Sequence, residues 1–112
     1  MAAPIYVDFD STLTTGEGDP WWVDPLDEEP REEMIKLVND LYHQSFPIII
    51  YTARMEEVRE ETEYFLKKWG VKHHALRMEK PGYALMICDK AISDETALEI
   101  GVEGIKENIY ND

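Results

Sequence analysis

A single cysteine, Cys88, occurs among the 112 residues. An internal disulfide is thereby excluded, and the composition suits a reducing cytoplasm. No stretch approaches the roughly 20 apolar residues that span a bilayer, so no membrane is expected as a partner. The N-terminus lacks a basic segment followed by an apolar one, and no secretory leader is predicted. Positive charge is also scarce. Eleven Lys and Arg face 24 Asp and Glu, for a net charge of −13. So acidic a surface repels nucleic-acid backbones and anionic membranes at long range. It still admits a phosphorylated substrate if a cation sits at the site.

What is present suffices for a core. The chain is 44% hydrophobic and 11% aromatic, and its length suits one domain, residues 1–112. Residues 1–9 predict a first strand through Ile5, Tyr6 and Val7. Residues 11–29 are polar and acidic and carry Gly16, Gly18, Pro20 and Pro25, so a long loop is expected, with Trp21 and Trp22 as its anchors. Residues 30–45 predict a helix with Pro30 in the first position and Met34, Ile35, Leu37, Val38, Leu41 and Tyr42 on one face. Ile48, Ile49, Ile50 and Tyr51 form an unbroken apolar run, read as a strand of a parallel sheet buried on both faces. A second helix follows over 55–69 and stops at Gly70. A short strand is expected within 71–78 and a buried one over 83–88. One or two short helices are expected after Glu95. The alternation predicts an α/β fold, a three-layer sandwich around a mainly parallel, Rossmann-like sheet. Ligands in such folds bind beyond the carboxyl ends of the strands.

That edge is where the polar residues collect. The first strand ends in Asp8, with Asp10 two positions on and expected to point the same way. The second ends in Thr52, and the run over 83–88 ends at Asp89, with Asp94 five residues further. Lys80 precedes that run in a turn. Like charges held close require a shared proton or a cation, and a hard oxygen-seeking ion such as Mg²⁺ suits carboxylates. A Thr and a Lys are groups that a phosphate uses.

In their order and spacing these residues resemble the haloacid dehalogenase superfamily. Asp8-x-Asp10-x-Thr12-Leu13-Thr14 is similar to its first motif, Thr52 to its second, Lys80 to its third and Asp89-x-x-x-x-Asp94 to its fourth. Tyr51-Thr52-Ala53-Arg54 and Lys80-Pro81 are similar to its small capless phosphatases. The resemblance implies a Mg²⁺-dependent phosphatase without a cap domain. Asp8 would be the nucleophile and Asp10 the general acid and base. Thr52 would hold a phosphoryl oxygen and Lys80 would offset charge. Asp8, Asp10, Asp89 and Asp94 would serve the metal, and Ser11, Thr12, Ala53 and Arg54 would complete the phosphate-binding set. Ser11 stands where many members carry Gly, a replacement that is tolerable if the position does not need positive φ. Cys88 stands where related members often carry another Asp. An open site favours a large substrate, or coverage by self-association.

Two other functions compete. One is a receiver-like module phosphorylated on an Asp. Its Asp belongs at the end of a central strand, the place Thr52 takes here. The other is a non-catalytic member that binds phosphate or metal. Among single residues, the adjacent His73 and His74 would point to opposite faces of a strand and are read as structural or surface residues. Cys88 is read as a buried strand residue, and Arg54 either contacts substrate or pairs with a carboxylate.

Overall fold

The computed structural model describes residues 3–15, 29–82, 87–88 and 90–110. Their elements are β1 (Ile5–Asp8), α1 (Glu32–His43), β2 (Ile48–Tyr51), a 3-10 turn (Glu56–Val58) running into α2 (Arg59–Lys68), β3 (Ala75–Arg77) and α3 (Asp94–Tyr110). The strands form one parallel sheet in the order β1-β2-β3. Parallel neighbours require crossovers, which α1 and α2 supply. The result is a Rossmann-like α/β sandwich, with no cap domain among the described residues.

The helices end for a reason visible in the sequence. At the end of α1, Ser45 takes φ +71°. The Phe46 N–H then reaches back to the Leu41 carbonyl (3.3 Å) and the Ser45 N–H to that of Tyr42 (3.0 Å). The end of α2 repeats this with Gly70 at φ +69°, the Val71 N–H on Leu66 and the Gly70 N–H on Lys67. Both are Schellman closures, which turn the chain sharply toward the next strand. Pro30 lies before α1 rather than in it, bridged to Thr14. Met55 precedes the second helix and is exposed, so it does not join the apolar face expected of it.

One core unites the elements. Val7, Ile48 and Ile50 of the sheet pack with Met34, Leu37, Val38 and Leu41 of α1, Phe65 and Leu66 of α2, and Ile105 of α3. Ile5 pairs with Ile48 and Val7 with Ile50 on that face. The opposite face carries Tyr6, Ile49 and Tyr51, and Tyr6 is 49% exposed. The expectation that β2 is buried on both faces is therefore corrected. Its residues alternate between buried and half-buried, because all three helices feed the core on the Ile48 and Ile50 side. His74 is structural as expected. It stacks on Tyr42 at 4.7 Å, and its Nδ1 accepts from the Ile48 N–H at 3.0 Å.

Of the strand expected over 83–88, residues 83–86 lie outside the described residues. Ile87 and Cys88 are exposed and belong to no strand. The expected buried Cys88 is thus corrected, and an apolar run alone did not suffice to place it in the sheet. Trp21 and Trp22 also lie outside the described residues. One or two short helices are expected here, and α3 consists of two helical pieces. Gly101 adopts φ +66° and ψ −170°, a conformation open to glycine, and divides the helix in two.

Candidate functional site

β1 ends at Asp8, and the chain turns at once. The Phe9 carbonyl accepts the N–H groups of Thr12, Leu13 and Thr14 at 3.3, 2.9 and 3.2 Å. Phe9 and Leu13, both fully buried, anchor the turn. Ser11 lies in the left-handed region at φ +64°, so the condition for replacing glycine without strain is not met. Its N–H donates to Thr14 Oγ1 at 2.9 Å, and this local bond offsets part of the strain. Because the strand stops at Asp8, Asp8 and Asp10 are not strand neighbours on one face. The turn sends Asp10 toward β2 instead.

Asp10 meets two residues beyond the end of β2. Arg54 Nη2 donates to Oδ1 at 2.7 Å, Arg54 Nε lies 3.1 Å from Oδ1 and 3.2 Å from Oδ2, and the Thr52 hydroxyl donates to Oδ2 at 3.3 Å. Arg54 is fully buried, with its guanidinium carbon 4.8 Å from the centre of the Phe9 ring. Of the two roles open to Arg54, pairing with a carboxylate is the one observed. The segment after β3 is zipped onto the same region. The Thr52 N–H donates to Arg77 (3.0 Å), that of Glu79 to Arg54 (2.8 Å) and that of Lys80 to Thr52 (2.9 Å). Glu79 takes φ +60° there, which turns Lys80 back toward the strand ends.

Asp8 is half-buried, and the Phe9 N–H donates to its Oδ1 at 3.0 Å. Burial pushes its carboxyl above the usual range. The Lys80 charge and the Phe9 N–H draw it back, and the charges of Asp10 and Asp94 push it further up. The charges of Lys80, Asp10 and Asp94 therefore all act on Asp8. Asp94 is not in the loop expected for it but opens α3. Its carboxylate is bound by Arg31, 63 residues away, which also contacts Glu33 at 3.3 Å. The Arg31 guanidinium holds the Asp94 carboxyl below the usual range against a smaller effect of burial.

These pairings limit the metal site. Among the described residues no three His, Cys, Asp or Glu side chains converge on one point. The Asp8 carboxylate, buried beside two further negative charges, fits a cation. The side chains of Asp10 and Asp94 are held by arginines and do not. Asp89 lies outside the described residues. Among the remaining expected contacts, Ser11 and Ala53 are exposed and Thr12 is half-buried. Sequence reasoning missed Arg31 altogether. Its only signal is a position beside the helix start that closes on the first motif, where its N–H donates to the Leu13 carbonyl at 2.8 Å.

No family model matches the chain, and no curated protein does. Solved structures do. An MCSG target from Vibrio cholerae superposes with a TM-score of 0.81 at 20% identity, over 99% of this chain and 98% of that one. A chain of a Pnkp1/Rnl/Hen1 complex gives 0.62 at 22% identity, over 89% of this chain and 35% of its own. A chain of the Pnkp1/Rnl/Hen1 RNA repair complex gives 0.58 at 21%, over 91% and 32%. The protein thus spans about a third of the latter two. At these identities the likeness is one of fold.

Proposed function

We propose that the protein is a phosphohydrolase of the haloacid dehalogenase type, using Mg²⁺ and cleaving a phosphate monoester through Asp8. The observation that supports this most is the position of Asp8 at the carboxyl edge of a parallel sheet. There it is half-buried, within the field of Lys80 and next to the Asp10–Thr52–Arg54 cluster. An Asp8 carboxylate oxygen attacks phosphorus, and the ester oxygen departs with a proton from Asp10. Water then attacks the phosphorus of the aspartyl-phosphate, giving its proton to Asp10. Phosphate leaves and Asp8 is regenerated. Lys80 offsets charge on the nucleophile and the phosphoryl oxygens, and the Thr52 hydroxyl orients one of them. Asp8 would hold the metal with the Asp10 main-chain carbonyl and Asp89. When bound, Mg²⁺ supplies compensation for the charge of the phosphoryl group. Asp94, clamped by Arg31, acts on the metal's surroundings rather than as a direct ligand.

The exposed single cysteine accords with a cytoplasmic setting. The absence of a cap from the described residues accords with a large substrate or self-association. No described helix is long and apolar enough to cross a membrane.

The grip of Arg54 on Asp10 favours a second function, a non-catalytic phosphate-binding module, because a general acid must be able to take up and release a proton. Phosphate release from an aryl phosphate, with Mg²⁺ or with EDTA, separates the two. Activity that needs Mg²⁺ and vanishes in Asp8→Asn is expected. Equal release by wild type and Asp8→Asn refutes the phosphatase.

A further inference from the structure

The register of the sheet places a row of side chains beside Asp8. Asp8 pairs with Tyr51, and Tyr51 pairs with Arg77. Paired residues of adjacent strands share a face and stand roughly 4.8 Å apart. Tyr6, two residues before Asp8, lies on the same face. Its ring centre is 5.5 Å from that of Tyr51. The Arg77 guanidinium lies 5.9 Å from the Tyr51 ring and the Lys80 ammonium 5.6 Å from it.

The chain carries net charge −13, yet two cations border one tyrosine here. Arg31, Arg54 and Arg59 are all ion-paired with carboxylates. Arg77 is the remaining arginine, and among the described residues its guanidinium has no carboxylate in ion-pair range, although it is exposed. Tyr6 is also exposed, despite the opportunity to bury a large ring. Exposed aromatic faces flanked by cations are what planar, electron-rich groups stack on.

We infer that the strip Tyr6–Tyr51–Arg77 is the leaving-group subsite of the reaction proposed above, and that it takes the base of a nucleotide. The phosphoryl group sits at Asp8 and Lys80, the heteroaromatic base stacks on one of the two tyrosine rings, which are inclined at 57° to each other, and meets the other at its edge, and Arg77 donates to acceptors on the base edge. The charge complementarity is local: Arg77 and Lys80 offset part of an anionic ester's charge at this edge of a protein of net charge −13. The inference rests on the phosphatase proposal for the position of the phosphate and for the strip's role as leaving-group subsite, while the stacking of a base on the strip does not depend on it.

The test is a comparison of kcat/KM, with Mg²⁺, for adenosine and uridine 3′- and 5′-monophosphates against glycerol phosphate. A preference of at least about fivefold for a nucleotide is expected, the smallest effect of a single stacked base. Tyr51→Leu and Arg77→Gln should each lower the nucleotide-to-glycerol-phosphate ratio severalfold, mostly through KM. Arg77 is exposed, so its variant will fold even if Tyr51→Leu does not. A wild-type ratio near one, or a ratio that neither variant moves, overturns the subsite and leaves the phosphatase standing. Hydrolysis of no ester refutes the phosphatase instead. Calorimetric binding of adenosine 5′-monophosphate against glycerol phosphate then still decides the strip, with equal affinities overturning it.

Discussion

Replacing Arg54 with Met tests the centre of the site. The substitution keeps much of the apolar stem and removes the guanidinium, leaving Asp10 with the Thr52 hydroxyl as its remaining side-chain partner of the pair described above. Breaking a buried ion pair costs about 3–5 kcal/mol when the stranded charge stays buried. Here the Asp10 side chain is 35% exposed, and water solvates part of it, so the expected loss is about 2–3 kcal/mol. Asp10→Ala strands the other partner. Arg54 is wholly buried and packed over Phe9, so this loss should be larger, about 3–4 kcal/mol. The double variant should cost less than the two together, by about 2 kcal/mol. Urea denaturation of the four proteins measures this, read as a shift of midpoint at constant slope. Arg54→Met should also lower Tm by roughly 10 °C. Losses that add within about 0.5 kcal/mol would show that the pair is not coupled, and a larger loss in Arg54→Met than in Asp10→Ala would show that burial does not decide the asymmetry.

Other outcomes follow from the same geometry. Asp8 binds a proton more readily folded than unfolded, so its charge costs stability once pH rises above the ordinary carboxylate range. Asp8→Asn should therefore raise Tm at pH 7 while lowering kcat by about 10³-fold or more, and a lower Tm would contradict the electrostatics. Asp94 has the opposite sign. Its folded carboxyl is held below the unfolded value by Arg31, so its contribution is present at neutral pH and is lost as pH falls through that lowered value. Arg31→Gln should flatten the acid limb of the stability–pH curve. Ser11→Gly should stabilise by about 1 kcal/mol by relieving a left-handed serine, whereas Glu79→Gly should gain less because the Glu79 carboxylate accepts the Glu56 N–H at 3.2 Å. Gly101→Ala should cost about 1–3 kcal/mol through backbone strain alone, since no atom lies within 4 Å of the added methyl.

Much of the fold is local and therefore legible in one dimension. The face of α1, the terminator Gly70 and the strand at Ile48 all follow from periodicity and backbone preference among near neighbours. Alternation of strands and helices then places Asp8 and Thr52 at one edge, because parallel strands share a direction. Tertiary structure decided what the sequence left open. Which carboxylate pairs with which arginine depends on side chains 44 and 63 residues apart meeting at one place, and no local pattern encodes such a meeting. The left-handed Ser11 arises because Phe9 and Leu13 must both reach the core across a short turn. The half-buried face of β2 has the same origin. An apolar run specifies that a strand is buried, but only the placement of the helices decides on which side.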